Sequence, residues 1–249
     1  MNRLIYVEMK TDRAQVHFDA LQVELDKWLD SPKHYTVTEY TDFDKAVHIF
    51  RVQIGTVQKL IPSLLSDFIH NLRSALDNLA WELAHLLPAR TPPLTDRQER
   101  SIQFPIARFD DPTYRSLLGL FPSAVTGTLD LLQPYHRGNA YRDDPLWQLN
   151  ELWTMDKHRT IPMNSSNLLL AFSPLVGWER YVRRLQNGVE VHFPIGVFFD
   201  REMNLKPAIT VEILFGDHMG DFIVSRARLG EINDFVRKDV IPRFASFFP

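Results

Sequence analysis

Residues 60 to 87 contain no lysine, one arginine and one glutamate, yet their apolar residues recur at helical spacing. A helix that exposes a long face to water usually carries more charge than this. The spacing predicts a helix over 57–87, ended by Pro88. At roughly 100° per residue, Leu64, Phe68, Leu72, Ala75, Leu76, Leu79 and Leu83 share one broad face. His70, Arg73, Asp77 and Trp81 fall opposite. A solvated polar face is one reading of that arrangement. The scarcity of charge and the presence of Trp81 favour another, in which both sides of the helix are covered and His70, Arg73 and Asp77 lie at an interior seam.

A second helix is predicted from Asp144 to about residue 159. Asp144 supplies an N-cap acceptor and Pro145 suits the first helical position. Leu146, Leu149, Leu152 and Trp153 make its apolar stripe, and Asp156 falls between Leu149 and Leu152 on the wheel. A carboxylate in line with a core must be paired or neutral, because an unpaired buried charge costs several kcal/mol, roughly. Arg73 or His70 is the expected partner, and arginine is the better one because its planar fork can bind a carboxylate twice. His158 and Arg159 turn toward the same seam only if the helix ends near Lys157. The set His70, Arg73, Asp77, Asp156, His158 and Arg159 therefore has two readings. It is a buried polar network that fixes helix docking. Alternatively, it lines a site for an anionic ligand or a reacting phosphate, with Arg73 and Arg159 as anion binders and His70 or His158 as acid and base.

The rest of the chain is mixed. A helix is expected over 11–30 and a β-hairpin over 34–54, joined through TDFDK. PARTPPLTDRQER (88–100) reads as an exposed loop. QFPI (103–106) reads as a short extended piece, followed by two short helices and a turn at RGNAYRDD. Strands are expected at 166–175, 189–199, 208–215 and 221–226, then a helix over 229–247 that Pro242 bends or splits. The fold class is α+β: an N-terminal helical part with a hairpin (1–160), then a C-terminal antiparallel sheet covered by the C-terminal helix (161–249). The two parts are expected to form one compact unit.

Composition narrows the function. The 249 residues include no cysteine, which removes disulfides, zinc–thiolate sites and cysteine nucleophiles and fits a reducing, cytoplasmic setting. A net charge of −3 does not suggest a strong nonspecific polyanion binder. The N-terminus lacks a signal-peptide core, and the longest apolar run is too short to span a bilayer, so no membrane association is expected. Neither phosphate-cradling glycine loop is present, nor HExxH, nor GxSxG. A metal site across His70, Asp77, Asp156 and His158 would be opposed by Arg73 and Arg159, so neither metal nor cofactor is expected. GDHMGD (216–221) reads as a turn. Arg180, Arg183 and Arg184 with Trp178 and Tyr181 read as a charged strand edge in preference to a nucleic-acid contact.

IHNLRSALDNLAWEL (69–83) and LNELWTMDKHR (149–159), with FPI (104–106), LQPY (132–135) and EILFGD (212–217), resemble a widespread bacterial family of uncharacterised proteins. That resemblance implies no activity. The chain is also similar, more loosely, to HEPN helical bundles, many of which are RNases or antitoxin partners. Their signature is an arginine followed by a histidine after four to six intervening residues, and no arginine here has a histidine at that spacing. Two functions follow as expectations. One is a non-catalytic protein that binds an anionic small molecule or a protein partner. The other is a HEPN-like nuclease or nucleotide-processing enzyme that uses the Arg73/Asp156 seam.

Overall fold

The computed structural model describes residues 3–31, 34–55, 58–86, 93–158, 168–173, 181–185, 188–194, 208–216 and 222–248. The fold is α+β, and the chain divides into two interleaved units. The first comprises residues 1–21, 63–160 and 227–249; the second comprises 22–62 and 161–226. Among the described residues, no helix is long and apolar enough to cross a membrane.

The first unit is helical. It holds most of α1 (Ile5–Asp30) and of α2 (Leu60–Ala84), then α3 (Asp96–Glu99), α4 (Pro112–Leu118), α5 (Ser123–Leu131), a 3-10 stretch at Pro134–Asp143, and α6 (Pro145–His158). Its core is built on α2, where Leu65, Phe68, Ile69, Leu72, Leu76, Leu79 and Leu83 are fully buried. Asn71, Arg73 and Ala80 are buried as well, so α2 is covered on most of its circumference, as its lack of charge led us to expect. Phe18 of α1 packs on Phe68, their ring centroids 5.2 Å apart. Leu146, Leu149 and Leu152 form the buried stripe of α6. The α6 cap is the expected one: Asp144 Oδ1 accepts from the Leu146 N–H at 2.9 Å, and Pro145 follows.

The chain ends in α7 (Arg226–Asp234), a π-helical stretch (Phe235–Val240) and a 3-10 stretch (Ile241–Phe247). The change of pitch falls at Pro242, which has no N–H to donate and whose ring crowds the preceding turn. Sequence spacing assigned this helix to the C-terminal sheet as its cover. The structure places it with the helices of the first unit instead. There Arg237 Nη1 donates to Thr11 O at 2.8 Å, Asn233 Nδ2 donates to Gln15 Oε1 at 2.7 Å, and Phe244 meets Phe104 edge to face.

The second unit carries the sheets. β1 (Tyr35–Asp42) and β2 (Val47–Ile54) form the expected hairpin, with Asp42 opposite Val47. The hairpin was assigned from sequence to the part spanning 1–160; it falls in the second unit, with residues 22–30 of α1 and the C-terminal strands. β2 pairs with β5 (Gly188–Pro194), and β5 with β4 (Tyr181–Leu185), in the order β1-β2-β5-β4. Among the described residues β4 is an edge strand; Trp178, Arg180 and the side chains of Tyr181, Arg183 and Arg184 lie outside them. A second antiparallel sheet orders β3 (Leu168–Ser173), β6 (Ala208–Gly216) and β7 (Ile223–Ser225). Across the four-stranded sheet, Arg51 Nε donates to Glu190 Oε1 at 2.6 Å, and Glu190 is 2% exposed.

Candidate functional site

The site is centred on α2. Arg73 and Asp77 stand one turn apart, and the extended segment around Phe104 passes beside them. Arg73 Nη2 donates to Phe104 O at 3.0 Å, and the Phe104 N–H donates to Asp77 Oδ1 at 3.0 Å. The same Arg73 nitrogen lies 3.0 Å from Asp77 Oδ1. Two side chains of one helix thus hold both polar groups of a single residue.

The next residues are satisfied in the same manner. Gln133 Nε2 donates to Pro105 O at 3.0 Å, and Gln133 Oε1 accepts from the Ala107 N–H at 2.8 Å. Among the described residues no strand pairs with this buried extended segment, and its backbone must be satisfied in some other way. Here Arg73, Asp77 and Gln133 do so.

Arg73 is not itself satisfied. It is 2% exposed, and its Nε and Nη1 have no hydrogen-bond partner among the described residues. A guanidinium carries five N–H donors, two of them on Nη2. Three therefore face no acceptor. The indole of Trp153 lies over the group, 5.2 Å from centroid to Cζ, which offsets part of the desolvation. Burial pushes the Arg73 guanidinium below its ordinary pKa, and Asp77 works against that fall. An arginine nonetheless stays charged at neutral pH. A second cation reaches the same ring: Lys157 Nζ stands 3.3 Å from the Trp153 centroid.

The other expected members are placed differently. Asp156 is half-buried and accepts a hydrogen bond from Ser66 Oγ at 2.7 Å; no ion pair joins it to Arg73 or His70. His70 is exposed on α2 and has no hydrogen-bond partner among the described residues. His158 ends α6, and its side chain, like the whole of Arg159, lies outside the described residues. The structure therefore brings Arg73 and Asp77 together and separates His70 and Asp156 from them. Among the described residues, no three His, Asp or Glu side chains are grouped to hold a metal ion.

Sequence reasoning missed Phe104, Trp153 and Lys157 as neighbours of Arg73. Trp153 was assigned to the apolar stripe of α6, and Lys157 drew no attention. Their spacing of four residues, which stacks side chains on a helix, was the available signal.

Compared with known proteins, the chain matches no family model, no curated protein and no solved structure.

Proposed function

We propose that this chain is a non-catalytic binding protein whose α2–α6 seam receives an anionic group at Arg73. One observation carries the reading: a buried arginine keeps three donors without an acceptor among the described residues. Leaving buried donors unmade costs about 1–3 kcal/mol, more for a charged group. An acceptor supplied from outside the chain removes that cost and converts it into binding energy. The Trp153 ring lies against the guanidinium and Lys157 against the same ring, so entry requires the Trp153 side chain to move. Rotations of this kind are ordinary for a half-buried side chain.

A binding role fits the groups present better than acid–base chemistry does. Asp77 is engaged by Arg73 and the Phe104 N–H. The nucleotide-processing alternative needs a proton-transfer group beside Arg73; of its two candidates His70 is exposed, and the side chain of His158 lies outside the described residues.

The test is thermal unfolding in the presence of a mixed fragment set containing carboxylates, phosphates, amines and neutral aromatics. At least one fragment is expected to raise the melting temperature of the wild type and not that of R73M. A set in which no fragment separates the two proteins contradicts the proposal.

A further inference from the structure

We infer that the group received at Arg73 is a single carboxylate carried on a flat apolar body, an inference that rests on the seam being a binding site. Charge favours the carboxylate. Two cations converge on Trp153, Arg73 at 5.2 Å and Lys157 at 3.3 Å. Among the described residues, Asp77 is the one carboxylate joined to either of them. Asp156, next in sequence to Lys157, keeps its own negative charge, because Ser66 is a neutral donor. Arg73 and Lys157 are thus matched by Asp77 and Asp156, and an incoming anion adds its whole charge to the seam. A monoanion adds the least. A phosphate monoester carries about −1.5 to −2 at neutral pH and would leave the buried seam more negative.

Geometry points the same way. The free Nε–H donates in the guanidinium plane and can reach one oxygen of a planar carboxylate, while the Nη1 donors open on a different edge. The half-buried Trp153 indole lies against the guanidinium and is an apolar surface close to a group bound there. Aromatic bodies pair with such a face in offset or edge-on contact.

The experiment is a calorimetric titration of the full chain with benzoate, inorganic phosphate and benzyl alcohol. Benzoate is expected to bind saturably at one site, and benzyl alcohol is expected not to bind. Phosphate should bind more weakly than benzoate. Lys157 is exposed, so K157Q should fold normally and weaken benzoate roughly tenfold, as loss of a nearby charge does. D77N removes the competing carboxylate. It should tighten benzoate and bring phosphate within range.

Phosphate binding tighter than benzoate, or benzyl alcohol binding equally well, overturns the carboxylate assignment. If none of the three binds while another member of the fragment set does, the assignment fails and the binding reading stands. If no fragment of any class binds, the binding reading itself has failed.

Discussion

Ser66 on α2 donates its hydroxyl to Asp156 on α6 at 2.7 Å, and Asp156 has no ion pair to the arginine two turns further along α2. The two helices are therefore tied by a hydrogen bond from a neutral donor to a half-buried carboxylate. Loss of that bond should be mild. D156A is expected to cost about 1 kcal/mol, well short of the ~3–5 kcal/mol of a broken buried ion pair. Chemical denaturation of both proteins measures the difference.

Arg73 and Asp77 should respond unequally to truncation. D77A strands a buried guanidinium and frees the Phe104 N–H, and should cost about 2–3 kcal/mol. R73M removes the buried charge while filling its volume, and loses one hydrogen bond to Phe104 O. It should cost less than D77A, about 1 kcal/mol, because the Asp77 carboxylate left behind is partly exposed and still accepts from the Phe104 N–H. Urea midpoints for the two variants check the asymmetry.

Much of this was legible in the sequence and some was not. The absence of lysine from α2 announced a helix covered over much of its surface, and Arg73 is buried accordingly, but Trp81 and His70, which were expected on the covered side, are exposed. The wheel located Asp156 by angle alone. It could not show that Ser66, a small polar residue with no charge to notice, would reach it first. Arg73 found its partner 31 residues away in the FPI segment, through a backbone carbonyl that any residue offers and no side-chain pattern reveals. The hairpin was read correctly as a local object. Its sheet partner was not, because Arg51 and Glu190 are 139 residues apart and antiparallel strands carry no mark of which distant strand they will meet.

The four-stranded sheet should be sensitive to acid through Glu190. Burial raises the pKa of this carboxylate, but the hydrogen bond and charge of Arg51, with His192 beside it, outweigh burial and hold it below the ordinary glutamate value. A depressed folded pKa means the stabilisation is present above the unfolded pKa of about 4.3 and is lost as pH falls through the folded value. Unfolding followed between neutral pH and pH ~3 should show the wild type losing stability below about pH 4, with E190Q losing less over the same range.

The hairpin loop carries a correctable strain. Ala46 has φ +51°, a left-handed conformation that costs a residue with a Cβ roughly 1 kcal/mol. The loop is otherwise well made, since Asp42 accepts from the Lys45 N–H at 3.1 Å and from Lys45 Nζ at 2.8 Å. A46G should raise stability by about 0.5–1 kcal/mol. A rise in melting temperature without a change in ligand response confirms that the hairpin acts apart from the Arg73 site.

The most direct measurement is the ¹⁵N–¹H resonance of Arg73 Nε, assigned by its loss in R73M and followed as benzoate is added. The nitrogen has no acceptor among the described residues, so a bound carboxylate gives it one. The account predicts a saturable downfield shift of that proton with slowed exchange, and no change on adding benzyl alcohol. A resonance that stays fixed while the protein binds benzoate elsewhere, or binds no anion at all, contradicts it.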